Sequence, residues 1–284
     1  MESQGRGTAR PRVGRALVDS LAMDSCVVTG AARGIGRGIA ERMVNRGYAV
    51  VVTDVDGEGA RRTASEIGAA VGLEQDVREA AGHRFVATTA NDLGPLSAWF
   101  NNAGVGDDGR LADLDDEQVR RLVEVNLLGV LWGMRAALAA FPGRGDIVNT
   151  ASLSGLGPVP GYSAYAATKA AIVSATMSVS GETPRGVRVH ALCPDGVQTA
   201  LLDGQDPAGL GAQLVHSGSR ILTVEETADA AVALLGARRV IRSLPGWRGG
   251  LVRTSTLAPS VTRHGTRLFA ARGRRAISRR AGER

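Results

Sequence analysis

Lysine is almost missing from this sequence: of 34 basic side chains 33 are arginine, and the one lysine is Lys169. Cysteine is scarce too. Cys26 and Cys193 stand in apolar, β-rich runs with no CxxC spacing, so a disulfide framework is excluded and no metal site is expected. No unbroken run of 18 apolar residues occurs, and Gln, Ser and Pro do not dominate, which argues against a membrane span and against disorder. No secretory apolar segment precedes the first predicted strand, so a cytoplasmic location is expected.

What is present suits one α/β domain. The 284 residues are 44% hydrophobic, enough to bury a sizeable core. The net charge of +6 describes the ends rather than the body. Residues 238–284 carry thirteen Arg against Glu283 alone, and residues 1–22 carry four Arg against Glu2 and Asp19. The stretch between them is net acidic, so nucleic acid and membrane are not the leading partners of the body. Residues 1–22 lack apolar periodicity and read as a flexible arm, by composition either a transit-like segment or an extended start.

From Ser25 onward short β-branched runs alternate with helical patterns. Strands are predicted at Cys26–Thr29, Ala49–Asp54, Ala70–Gln75, Ser97–Asn101, Asp146–Ala151 and Arg188–Cys193. Helices are predicted over Ile35–Arg46, Glu58–Gly68, Glu79–Leu93, Asp115–Phe141, Tyr162–Glu182 and Glu225–Arg238. Apolar strands between helices imply a doubly wound parallel sheet covered on both faces, with ligands beyond the carboxyl ends of the strands. The domain is expected over 23–240, with a substrate lid at about 200–222 and an Arg-rich extension over 241–284.

The chemistry-bearing residues fall at those strand ends. Gly30, Arg33, Gly34, Ile35 and Gly36 join the first strand to the first helix, where glycines let backbone approach a pyrophosphate and a helix N-terminus offers free N–H groups. Asp54 ends the second strand, where a carboxylate accepts ribose hydroxyls and repels a 2′-phosphate. Asp76 and Val77 follow the third strand; Asn102, Ala103 and Gly104 follow the fourth. Asn126 lies within the apolar face of the long helix and needs partners for its amide, either local backbone, a water in a proton path, or both. Tyr165 and Lys169 are i and i+4 on one helix, hence on one face. A phenol titrates near about 10, and a neighbouring ammonium favours its ionised form. Ser152, at the end of the fifth strand, can polarise a carbonyl.

TGAARGIG, NNAG, VNLLG, NTASLSG and YAATK come in the order and spacing of the short-chain dehydrogenase/reductase family, which the sequence resembles over about residues 25–200. The resemblance implies a Rossmann-like domain binding NAD or NADP, with Asn126, Ser152, Tyr165 and Lys169 as the catalytic tetrad. It also implies a second role for Lys169 on the nicotinamide ribose, and contacts from Val197 and Thr199 to the carboxamide. Two departures stand out. Asp195 replaces the glycine expected directly after Pro194, and Leu244–Gly250 replaces the usual C-terminal strand ending.

The function expected is interconversion of a secondary alcohol and a ketone by hydride transfer, with Tyr165 as acid and base and the protein orienting the cofactor. NAD is expected over NADP through Asp54, with Arg33 pulling the other way. Leu201, Leu202, Leu210, Leu214 and Val215 suggest an apolar substrate behind a mobile lid. A homodimer through the two long helices is expected, and the basic tail is expected to dock on its own or a partner subunit. The rival readings are a catalytically silent nucleotide sensor and a membrane-surface or nucleic-acid binder led by the tail.

Overall fold

The computed structural model describes residues 23–107, 109–218, 220–257 and 259–282; the expected arm over 1–22 lies outside them. Seven parallel strands form one sheet in the order β3-β2-β1-β4-β5-β6-β7. They are β1 (Ser25–Thr29), β2 (Ala49–Asp54), β3 (Val71–Glu74), β4 (Leu96–Asn101), β5 (Gly145–Thr150), β6 (Val187–Pro194) and β7 (Ile241–Leu244). The order reverses between β1 and β4, which opens a crevice at the carboxyl ends there.

Strand alternation divides the core into two layers. Val27, Val51, Trp99 and Ile147 point to one face. They pack under α3 (Ala80–Leu93), α4 (Asp116–Ala140) and α5 (Ser163–Glu182). Cys26, Val28, Val50, Val52 and Val148 point to the other face. Above them lie α1 (Gly34–Asn45), α2 (Gly57–Ile67) and α8 (Val224–Val232). This is a Rossmann-like doubly wound α/β fold in a single domain.

Helix α4 contains an 18-residue window of mean hydropathy 1.4, apolar enough to cross a membrane by length and composition. In this fold its Leu122, Val130, Met134 and Ala137 are buried in the molecule. The helix starts on a reciprocal cap, Asp115 accepting from the Gln118 N–H while the Gln118 side chain accepts from the Asp115 N–H.

The C-terminal third departs from expectation in three places. Helix α8 begins on the Thr223/Glu226 capping box but stops at Val232 rather than Arg238. The chain turns there, and the Gly236 N–H donates to Asp146 Oδ1 at 3.1 Å. The seventh strand lies beyond the boundary expected at 240, so the extension proper starts at Pro245; four half-buried residues beside arginines carry little strand signal. The stretch expected to form a lid holds two short helices, α6 (Ala200–Asp203) and α7 (Leu210–His216). After β7 come α9 (Gly246–Ser255) and α10 (Pro259–Gly282). Helix α10 lies against α7: Ala270 is buried, Gly273 meets the Gln213 carbonyl, and Arg274 Nη1 donates to Gln213 Oε1 at 3.1 Å.

Candidate active site

Two loops at the switch point are tied together by Thr29. Its hydroxyl accepts from the Asn102 and Ala103 N–H groups, both at 3.1 Å. Asn102 Nδ2 returns bonds to the Thr29 and Gly30 carbonyls at 3.2 and 3.1 Å. Gly30 takes φ +64° and lies so close to Ala103 that a Cβ would come within 2.6 Å of the Ala103 Cα. A Cβ at Gly36 would strike the Gly30 carbonyl, so this turn closes only with glycine there. Arg33, the residue before α1, makes no side-chain cap, which leaves the N–H groups around Gly34, Ile35 and Gly36 to serve an anion.

Asp54 stands at the edge of this cradle. Its Oδ2 accepts from the Ala32 N–H and its Oδ1 from the Asp56 N–H, each at 3.1 Å. Each oxygen keeps acceptor capacity for a hydroxyl. Arg33 is exposed. Asp76 is more occupied than its position suggests: Arg78 grips both of its oxygens, Nε at 3.0 and 2.9 Å, and this pairing holds the carboxyl below its usual range. Val77 is buried against Gly129 of α4, and its carbonyl accepts from His83 Nε2 at 2.8 Å. Burial pushes the His83 imidazole down, in keeping with a neutral ring that donates through one nitrogen.

Four candidate catalytic side chains converge beyond β4 and β5. Asn126 is fully buried in a π-helical turn of α4 (Glu124–Leu128) and is clamped on one residue: its Oδ1 accepts from the Val105 N–H and its Nδ2 donates to the Val105 carbonyl, both at 2.9 Å. Its amide is therefore satisfied by the main chain of the loop after β4, distant in sequence, rather than by backbone local to its own helix. Gly104 lies between Asn126 and Lys169, where a Cβ would be 3.1 Å from Asn126 Oδ1 and 3.5 Å from Lys169 Nζ.

Lys169, 4% exposed, donates to the Thr150 carbonyl at 2.9 Å, with Nζ 5.6 Å from the Tyr165 ring centroid. Burial lowers its ammonium to about 8. Burial also raises the Tyr165 phenol to about 12, opposed by a hydrogen bond with Ser152. The Ser152 hydroxyl accepts from the Ser154 N–H at 3.1 Å, which fixes its position beside the phenol.

The far wall comes from β6 and the segment that follows it. Val197 is buried and pairs with Leu222, and Thr199 lies across from the phosphate loop, its Cγ2 3.6 Å from where a Gly34 Cβ would be. Leu201 reaches Gly106, and Gly211 packs on the Tyr162 ring, whose centroid is 5.7 Å from that of Tyr165. Asp195 forms an ion pair with Arg248 of α9, and burial raises its carboxyl against the pull of that arginine.

Several members of this site carry no motif signal. Val105 and Thr150 act through their main-chain groups, on Asn126 and Lys169, and Arg248 is one of many arginines. Below the site Trp99 Nε1 donates to Asn101 Oδ1 at 2.7 Å, and Asn101 Nδ2 to Asn149 Oδ1 at 2.8 Å. Asn149 Nδ2 then donates to Thr176 Oγ1 at 3.0 Å, a buried chain that joins β4 and β5 to α5.

A family model described as short chain dehydrogenase matches residues 24–208. The 2-(S)-hydroxypropyl-CoM dehydrogenase 3 of Xanthobacter autotrophicus is 34% identical, over 73% of this chain and 88% of that protein. A sorbitol dehydrogenase of Cereibacter sphaeroides is 37% identical over 64% and 73% respectively. A short chain dehydrogenase/reductase from Burkholderia phymatum, solved in complex with NAD, superimposes with a TM-score of 0.75 over 84% of this chain and 95% of its own, at 28% identity. By the matched model, the relatives and the shared fold, the chain belongs to the short-chain dehydrogenase/reductase family of NAD(P)-dependent oxidoreductases.

Proposed function

We propose that this oxidoreductase interconverts a secondary alcohol and a ketone, with NAD preferred and Tyr165 as the group that exchanges a proton with the substrate oxygen. The convergence of Ser152, Tyr165 and Lys169 around one phenol carries the reading. Relatives named as dehydrogenases of sorbitol and of 2-(S)-hydroxypropyl-CoM support an alcohol as one partner of the exchange. A catalytically silent sensor has no need of the buried ammonium beside Tyr165.

The glycine loop and the open N-terminus of α1 fit a pyrophosphate, and Asp54 fits the adenosine ribose. A bound nicotinamide supplies or takes the hydride. The protein does the remainder. Ser152 donates to the substrate oxygen, and Tyr165 delivers its proton there in reduction or accepts it in oxidation. Lys169, held on the Thr150 carbonyl, places its positive charge where the phenolate forms and orients the ribose beside it. Asn126, fixed on Val105, holds a water that resupplies the proton. Val197 and Thr199 fix the carboxamide, while Leu201, Leu202, Leu210, Leu214 and Val215 give the substrate side an apolar lining.

The assembly proposed is a homodimer through α4 and α5; Ala167, Ala170, Ser174 and Met177 make an exposed stripe along α5 that supports it. The seat of α10 on α7 supports docking of the tail on its own subunit. A cytoplasmic location accords with two buried free thiols. The test is a panel of ketones and alcohols, beginning with steroids, acyl thioesters and terpenoids, followed by NADH and NADPH absorbance. Turnover with kcat/KM favouring NADH is expected. A ratio favouring NADPH assigns control to Arg33 over Asp54, and no turnover across the panel with a bound cofactor favours the sensor.

A further inference from the structure

The carboxylate that replaces the family's glycine has a partner from more than fifty positions along the chain. Arg248, in the first turn of α9, brings Nε to 3.1 Å from Asp195 Oδ2, and the two side chains are only 13% and 8% exposed. The Asp195 N–H donates to the Leu244 carbonyl at 2.8 Å, so the carboxylate is carried on the joined ends of β6 and β7. The same guanidinium reaches the lid. Its Nη2 donates to the Leu214 carbonyl at 2.7 Å and to Ser217 Oγ at 3.0 Å.

Leu214 is in the last turn of α7, where the Ser217 N–H and hydroxyl also donate to its carbonyl, at 3.2 and 2.6 Å, and the helix dipole favours a cation. Arg248 therefore ties three groups together: the Asp195 carboxylate, the Leu214 carbonyl at the end of α7 and the Ser217 hydroxyl that caps the same carbonyl. On its other sides α7 meets the site, since Gly211 packs on Tyr162 and Val215 packs over Gly196, next to Val197. Helix α9 also braces the loop after β5, where Val252 packs on Gly157.

We propose that Arg248, paired with Asp195, is a positioning residue that holds the lid helix α7 closed over the nicotinamide half of the cofactor site. The inference rests on the dinucleotide reading above. It assigns the substituted glycine and the atypical extension to one device: the strand ending that the family uses elsewhere is replaced by an arginine that reaches back to the lid.

The test compares Arg248→Met, Arg248→Lys and Asp195→Asn with the parent full-length chain. NADH and ADP-ribose affinities are measured side by side, because ADP-ribose lacks the nicotinamide; amide hydrogen exchange is followed over residues 210–218. Arg248→Met is expected to weaken NADH by about tenfold or more while ADP-ribose changes by less than about twofold. Exchange over 210–218 is expected to quicken by about tenfold with β1, β4 and β5 unchanged. Arg248→Lys keeps the charge and is expected to recover part of both effects, and Asp195→Asn to move in the direction of Arg248→Met. Equal losses for NADH and ADP-ribose, faster exchange throughout the sheet, or no change in either readout would each overturn the proposal. A parent chain that binds no NADH sinks the cofactor reading instead, and the exchange measurements then decide the clasp alone. Should Arg248→Met not fold, the two milder variants carry the comparison.

Discussion

Burial drives the two titrating side chains of the site toward their neutral forms from opposite ends, the Tyr165 phenol up to about 12 and the Lys169 ammonium down to about 8. Enclosing a neutral pair costs less than enclosing either ion, and an arriving cationic ring restores the bias toward phenolate. Tyr165→Phe is expected to cut turnover by ~10²-fold or more, the scale of a positioned acid–base group, while NADH affinity in a fluorescence titration stays nearly unchanged. Turnover kept within a factor of a few would remove Tyr165 from that role. Lys169 also leaves a mark on stability. The unfolded chain holds this proton up to the ordinary 10.5 and the folded chain releases it near about 8. Between those values unfolding takes up a proton, so this residue makes stability rise with pH across the window. Urea unfolding of the parent and of Lys169→Met at a series of pH values should show that rise in the parent only, once the shared background is subtracted. The i, i+4 spacing makes the Tyr165–Lys169 pair legible in the sequence. The Thr150 carbonyl that orients Lys169 is not, because a backbone acceptor nineteen residues away has no side-chain signature.

Among the elements, the π-helical turn of α4 shows where periodicity stops being informative. The apolar face locates the helix and its register, and Asn126 within that face marks an anomaly. The extra residue in the turn, and the closure of the amide on Val105, depend on where the loop after β4 comes to rest. Asn126→Ala strands the Val105 N–H and carbonyl, so a loss of about 1–3 kcal/mol is expected in denaturant unfolding, with lower turnover. Stability unchanged within error would mean that water replaces the amide at no cost. The strands of the first half are legible to within a residue or two because their β-branched runs are buried on both faces. Beyond β6 the signal fades. The lid composition, rich in glycine, suggests mobility, whereas α7 is pinned by Tyr162, Arg248 and α10, all contacts distant in sequence. Just past the end of α8, Asp146 captures the Gly236 N–H, another partner distant in sequence.

At the scale of the whole molecule, charge is separated between an acidic body and a basic C-terminal extension, and α10 lies on the lid rather than away from it. Deleting residues 259–284 is expected to lower the Tm or change the assembly seen by light scattering while leaving the tetrad chemistry in place. Unchanged melting and assembly, together with tight, salt-sensitive binding of the full chain to anionic liposomes or DNA, would instead make the extension a tether. The lone lysine has a consequence of another kind. Because Lys169 is enclosed in the site, the exterior offers no ε-amine at all. Amine-directed coupling and side-chain acylation by conjugating enzymes find no lysine on the outside, and every internal tryptic cut short of Lys169 must fall at arginine. Isotopically labelled lysine would then give a single Nζ resonance, arising wholly from beside Tyr165, that reports the protonation of the catalytic pocket without any assignment.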